Sequence, residues 1–506
     1  MMHLLFNASL YLTGFLFLSL GFSLPVYCRH FMAFLAGVAL WGIISTFYLI
    51  VSIPLTLINI LLFFALLLSL TIWNRRKEIF KSDRSYKKEL LWFGLFFSVF
   101  ILLHIAVSNY NLTFVSFDSW RYIGIGQAIG KSGYFPPPGF QAWDYFLSAR
   151  MAILAVLYAI SYLYHIELPY TLMPLTAIYF LLTFLALFFI ATESTRLAPR
   201  LRLLLGICGV LLMATLPAYW FHAYFVNQNL LTSVYFTCSL MSLFIYRHQR
   251  RLLWLIIAAV SLSVTTLMRN EMSFFASIPL LMLLSMEGLE KKEYKIFLLI
   301  FISISFPWRV FNVYLLGLDH LVHDWGVLQI GVYVIYLLSY FMIHFKITRD
   351  HLAPLTPAIT IGILTTLIFG LMSFSTIKPT EGMFASINSV FLIMFKSSGK
   401  YEDWRLIWFV ILFFLVINAL FIKEKQIHFW KDVLVIFILL RLILYSIGLF
   451  SIEAAASMFN SGSRILMHLM PSGICYVMLS LGYFLSDLID SGRRHLKSGS
   501  GGIGIS

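Results

Sequence analysis

Apolar residues gather in long runs along this chain, separated by short polar joints. Runs near 3–25, 31–52, 54–73, 90–109, 169–193, 203–221, 229–246, 252–269, 272–288, 296–317, 327–345, 355–376, 404–422, 432–450 and 470–488 approach or exceed the length of a bilayer span, about 17–25 residues of helix. Only a backbone that satisfies its own hydrogen bonds survives in lipid. The pattern therefore predicts an all-α polytopic membrane protein, a bundle of about 13–15 transmembrane helices. The start, Met1-Met2-His3, has no basic secretory n-region, so the first run is expected to be a retained helix.

Composition agrees. Of 506 residues, 60% are hydrophobic, 17% aromatic and 11% charged, where a soluble domain carries about 25% charged residues. Mean hydropathy is +0.89. These values exclude a soluble globular protein, a disordered chain and a nucleic-acid binder. Cys28, Cys208, Cys238 and Cys475 lie far apart with no metal-type spacing, which excludes a secreted disulfide scaffold.

The net charge of +14 is mostly topological. Twenty-five of the 36 Lys and Arg residues cluster at Arg29, 75–88, 196–202, 247–251, 291–295, 346–349, 423–431 and 493–497. From residue 196 onward the clusters recur at every second loop, as the positive-inside rule predicts for cytoplasmic loops. The N-terminus is then outside and the C-terminus inside. On this count the run 146–164 cannot cross once, and it is expected to be interfacial or re-entrant on the outer side. Three parts are expected: N-terminal helices and a basic loop over 1–89, a principal helical module over 90–490 with an outer loop at 110–168, and a flexible tail over 491–506.

Eleven basic residues fall where the topology rule disfavours them. Charges at membrane depth are costly and mark functional candidates. Asp118-Ser119-Trp120-Arg121-Tyr122 opens an amphipathic helix in the outer loop, which stops at Gly133-Tyr134-Phe135-Pro136 before Asp144. Asp118 reads as an N-cap or as a firmly held catalytic carboxylate; the two are compatible. Arg269-Asn270-Glu271 joins two helices through almost no loop, and its charges either pair with each other or face a ligand. Arg464 and His468 share one helical face. Arg at a helix N-terminus opposes the dipole, so it points to an anion, in a ligand or a lipid headgroup. The segment 219–229, with His222 and Asn227, suits sugar stacking and hydrogen bonding or an interfacial aromatic belt. Arg309, Lys378 and Lys396 are further outer cations. His320, His323 and Asp324 make at most a loose metal set.

These features in order resemble the GT-C glycosyltransferase superfamily, which includes protein mannosyltransferases and the lipid A aminoarabinose transferase. The likeness rests on Asp118 to Tyr122 through Gly133 to Pro136, on Arg269-Asn270-Glu271 as an Arg-x-Glu turn with Met272 where Gly is usual, and on Gly462-Ser463-Arg464 to Pro471. It implies a GT-C-like bundle with amphipathic juxtamembrane helices in the first outer loop. It also implies inverting transfer of a sugar from a polyprenyl-phosphate donor on the extracytoplasmic face. Asp118 would be the general base. Arg269, Arg464 and His468, with Lys378 and Arg309 behind them, would stabilise the phosphate leaving group. Trp120, Arg121, Tyr122, Asp144, His222, Asn227 and Glu271 would contact sugar or acceptor. No cofactor is implied, and a divalent metal is a minor option. The acceptor would be lipid A, a lipid-linked glycan, a wall polymer or a protein, in a bacterial inner membrane. The competing classes are a polymerase or ligase using a diphosphate-linked glycan, and a lipid-linked glycan flippase.

Overall fold

The computed structural model describes residues 1–20, 24–80, 84–109, 113, 115, 117–136, 152–225, 227–312, 320–342, 406–420, 425–446 and 461–499, and among them the regular elements are helices. In chain order these are α1 (Met2–Ser19), α2 (Val26–Ile50), α3 (Leu57–Phe80), α4 (Arg84–Asn109), α5 (Phe117–Ser132), α6 (Ala152–Leu163), α7 (Leu172–Ala191), α8 (Pro199–Ala214) and α9 (Pro217–Tyr224). There follow α10 (Asn229–Gln249), α11 (Leu252–Met268), α12 (Met272–Phe275), α13 (Ser277–Leu284), α14 (Lys291–Val310), α15 (His320–Met342), α16 (Ile407–Leu420), α17 (Lys425–Ser446) and α18 (Ser461–Gly499). Among the described residues, seven helices are long and apolar enough to cross a membrane: α1, α2, α7, α10, Leu57–Asn74 of α3, Glu89–Asn109 of α4 and Met467–Ser491 of α18. The chain is an α-helical polytopic membrane protein.

Several apolar runs are shorter as helices than as sequence. The run 203–221 breaks before Pro217, which lacks an N–H to continue a helix, and the run 272–288 is split at Ala276. The run 355–376 lies outside the described residues. Helix α6 has 12 residues and rises about 18 Å, less than the roughly 30 Å of a hydrocarbon layer. It does not lie half-exposed like an interfacial helix: Ile153 to Ser161 are all buried. At the other end of the chain α18 continues to Gly499, so the expected flexible tail is helical over 491–499.

The helices form two compact units, one from residues 1–187 and 219–354, the other from 188–218 and 355–506. In the first, α1 and α2 make an antiparallel hairpin closed at glycine. A Cβ on Gly14 would lie 1.9 Å from the Ala33 carbonyl oxygen, and one on Gly37 would lie 1.8 Å from that of Leu10. Small residues let helix backbones approach in this way. Across the hairpin the buried Tyr11 hydroxyl meets His30 Nδ1 at 2.6 Å, and Trp41 Nε1 donates to Thr13 at 3.2 Å. Aromatic rings carry the packing onward: Tyr11 to Phe100 of α4 at 4.8 Å between centroids, and Phe34 to Tyr179 of α7 at 5.2 Å. Helix α2 also packs on α6, α11 and α14, so the first helices share a core with these later ones of the same unit.

Helix α5 buries Ser119, Tyr122, Ile123, Ile125, Gly126 and Ile129 and exposes Trp120 and Lys131, the one-sided spacing of an amphipathic helix. Its buried side meets α6 through Gly126 and Gly130. A Cβ at Gly126 would stand 2.8 Å from the Ala155 carbonyl oxygen, and one at Gly130 would stand 3.1 Å from that of Ala159.

In the second unit α18 packs on α8, α16 and α17. Gly473 admits Ile411, and Gly482 admits Leu197 and Leu205. Asn418 Nδ2 donates to the Tyr476 hydroxyl at 2.7 Å and to Ser480 at 2.6 Å. These bonds tie α16 to α18 inside an apolar setting, where an unmade bond is costly.

Candidate functional site

The first unit has a basic end and an opposite end. At the basic end Arg29 at the start of α2 pairs with Glu89. Arg250, between α10 and α11, bonds the Glu287 carbonyl and lies 3.9 Å from Glu293. Helices α11 and α14 both start there and run the same way, so their C-terminal ends meet at the opposite end. There α11 stops at Met268 and the chain turns through Arg269-Asn270-Glu271 into α12.

That turn is the centre of a buried polar cluster. Arg269 donates from Nε to Glu271 and from Nη1 to Asn229 Oδ1 at the first residue of α10. Arg309, on the last turn of α14 and 2% exposed, donates three bonds. They reach Asn270 Oδ1 at 2.6 Å, the Thr266 carbonyl at 2.7 Å and Ser273 Oγ at 2.8 Å. The Thr266 carbonyl lies in the last turn of α11, where helix carbonyls lack intrahelical partners and a cation is favoured by the dipole. Arg309 therefore caps α11 while holding α14 to the turn. From α15, the Tyr336 hydroxyl donates to the Ser273 carbonyl at 2.5 Å.

The outer-loop segment reaches the same end. Phe135, just past α5, packs on Trp308 and Phe311, each with centroids 5.4 Å apart. The residue before Arg309 and the one two beyond it thus carry the end of the Gly133 to Pro136 stretch. Gly133, at φ +80°, takes the left-handed conformation glycine permits, and its carbonyl accepts from Leu55 N–H at 2.8 Å.

The start of α10 adds polar groups with unmet valence. Gln228 is its N-cap and makes no capping side-chain bond. Asn227, Gln228 and Asn229 are at most 1% exposed. Among the described residues, both polar atoms of the Asn227 side chain, Gln228 Oε1 and Asn229 Nδ2 have no partner. Buried carboxamides left unpaired are costly, and a hydroxyl-bearing ligand or water is the chemistry that satisfies them.

The expected site residues divide as follows. Arg269, Glu271 and Arg309 come together directly, and Asn227 stands two residues from Asn229 of the same cluster. His222 is buried on α9; Trp120 is 62% exposed, Arg121 partly exposed and Tyr122 fully buried. Asp118 stands in the first turn of α5, which opens at Phe117, two residues earlier than an N-cap at 118 requires; its side chain lies outside the described ones. Asp144, Lys378 and Lys396 lie outside the described residues. Arg464 is on the first turn of α18 with an undescribed side chain, and His468 one turn on is fully buried in the second unit. The side chains of His320, His323 and Asp324 are undescribed. Among the described residues no three His, Cys, Asp or Glu side chains gather as a metal site.

Asn229, Asn270, Ser273 and Tyr336 were not singled out by sequence. The two asparagines flank helix starts, a weak signal, and the tyrosine sits unmarked in an apolar run. Compared with protein families, curated proteins and solved structures, the chain matches none.

Proposed function

We propose that the chain is a membrane glycosyltransferase of the GT-C type, moving a sugar from a polyprenyl-phosphate donor to an acceptor hydroxyl at the end of the bundle opposite the basic clusters. The positive-inside rule makes that the extracytoplasmic face, in a bacterial inner membrane. One observation carries the reading. The Phe135 end of the outer-loop segment, the Arg269-Asn270-Glu271 turn and Arg309 adjoin at one end of the first unit. These elements are distant in sequence, and two of the three stretches that resemble the superfamily are among them.

In this reaction Asp118 takes the proton of the acceptor hydroxyl as its oxygen bonds to the anomeric carbon. The bond from that carbon to the phosphate oxygen breaks, and polyprenyl phosphate leaves with inversion. The growing phosphate charge is met by fixed guanidinium groups, which act strongly where water is excluded. Arg269 is the candidate in the first unit, with Arg464, His468 and Lys378 as the sequence candidates elsewhere. The buried carboxamides of Asn227 to Asn229 suit sugar hydroxyls.

The test is transfer itself. Purified protein is incubated with short-chain polyprenyl-phosphate sugars, with and without candidate acceptors, and released polyprenyl phosphate is measured. Acceptor-dependent release that Asp118→Asn abolishes, with donor binding retained, is expected. Full activity in Asp118→Asn overturns the base, and movement of the lipid across the membrane without release makes the protein a flippase.

A further inference from the structure

The second unit carries a separate site at the end marked as basic by Arg196, Arg200 and Arg202 around the start of α8. Helix α8 opens at Pro199 after Ala198, an N-cap residue that makes no side-chain bond. Its first turn is therefore an uncapped positive dipole end. Arg202 sits over that turn, because helical side chains lean toward the N-terminus. It is 9% exposed, and among the described residues its buried Nε and Nη1 atoms have no hydrogen-bond partner. Its guanidinium carbon lies 5.0 Å from the centre of the Phe189 ring, so an aromatic face holds it, but among the described residues no carboxylate answers its charge. The nearest basic neighbours do not compete for an anion equally. Arg196 is bound to Asp487 at 2.8 Å, and Arg200 is exposed.

A buried cation beside a helix N-terminus has two like-signed reasons to require an anion. The surface beyond the turn says which kind. Leu204, Ile207 and Leu211 repeat at helical spacing and are 55%, 40% and 58% exposed, and Leu203 beside them is 46% exposed. An apolar stripe thus starts beside the cationic turn and runs away from the basic end.

We propose that the first turn of α8, with Arg202, is a headgroup site for an anionic phospholipid of the leaflet at the basic end, the acyl chains lying along Leu203, Leu204, Ile207 and Leu211. The phosphate takes the donors of Arg202 Nε and Nη1 and the open backbone N–H groups, and Arg200 lies at the rim. This site does not depend on the transferase reading. Anionic lipid is expected in that leaflet, since basic loops and acidic headgroups attract each other.

The full-length protein is reconstituted in nanodiscs of phosphatidylcholine with phosphatidylglycerol, extracted in mild detergent, and its retained lipid counted by native mass spectrometry. Wild type is expected to retain phosphatidylglycerol over phosphatidylcholine. Arg202→Gln should cut that retention about tenfold, the scale of one charge-assisted bond. Arg202→Lys should keep part of it, and Arg251→Gln, an exposed cation at a basic end, should change nothing. Equal retention in Arg202→Gln, or equal retention of the two lipids by wild type, overturns the proposal. Displacement of the lipid by inorganic phosphate reassigns the site to a free anion and overturns the lipid. The wild-type arms hold even where Arg202→Gln fails to fold.

Discussion

Replacing Arg309 tests whether the polar cluster is held together as its geometry requires. The guanidinium bonds Asn270 Oδ1, the Thr266 carbonyl and Ser273 Oγ at 2.6–2.8 Å. A bond from a charged donor contributes about 1.5–3 kcal/mol, and a buried acceptor left without a partner costs about 1–3 kcal/mol. Glutamine at this position is shorter and neutral and reaches at most one of the three acceptors. Arg309→Gln should therefore lose on the order of 3–5 kcal/mol. For a large unit that is a fall in melting temperature on the order of 5–10 °C. Arg309→Lys keeps the charge and one or two bonds and should lose about half as much. The assay is thermal unfolding in detergent read by a thiol-reactive fluorophore, since Cys28 and Cys238 are both buried in the same unit. An unchanged melting temperature in Arg309→Gln would refute the view that this side chain joins α14 to the turn.

Three further outcomes follow from the surroundings of glycines. Gly37→Leu puts a Cβ 1.8 Å from a backbone oxygen, which no rotamer relieves; the hairpin must part, at about 1–3 kcal/mol or more, and the same thermal assay should show it. Gly94→Ala, with nothing among the described residues within 4 Å, should be neutral or gain about 0.5–1 kcal/mol of helix propensity. Gly126→Val forces α5 off α6, where Tyr158 Cβ would be 2.5 Å away. Because α5 carries Asp118, turnover should fall by about a hundredfold for a displacement of about 1 Å, measured as acceptor-dependent polyprenyl phosphate release.

The membrane class was legible because apolar runs of span length need no tertiary information to be recognised. Their ends were less so. The run at 203–221 looks continuous by composition, and only Pro217 marks the break that the backbone takes there. The closest helix contacts were not legible at all. Gly14, Gly37, Gly126 and Gly130 look like filler in an apolar run, and their role depends on which helix lies opposite. At the candidate site the sequence picked out Arg269 and Glu271 because charge between two apolar runs is conspicuous. Arg309 stood behind them as a reserve, although it makes the more extensive network. Its partners are a carboxamide, a hydroxyl and a carbonyl, none of which a charge count detects. The same blindness hid Tyr336, whose bond to the Ser273 carbonyl requires α15 to return beside α12.

The two arginines of the cluster can be given different roles by counting donors. Both serve an assembly in which Glu271 is the one carboxylate among the described side chains named in it. A guanidinium has five N–H groups. Arg309 directs its bonds into the turn and the end of α11, so it acts as a positioning residue. Arg269 commits Nε to Glu271 and Nη1 to Asn229, which leaves the Nη2 edge to bind an oxyanion while the carboxylate fixes its plane. The pairing of Arg269 with Glu271 is thus compatible with ligand binding, since an ion pair that orients a guanidinium leaves most of its fork available. Under the transferase reading, Arg269→Lys should keep the melting temperature and raise the donor KM by about 10–100-fold, the loss of one charge-assisted, forked contact. Arg309→Lys should show the reverse split, a lower melting temperature with donor KM little changed. If Arg269→Lys instead melts as low as Arg309→Lys and leaves the donor KM untouched, Arg269 is a strut between α10 and α11, and the phosphate must be held by other cations.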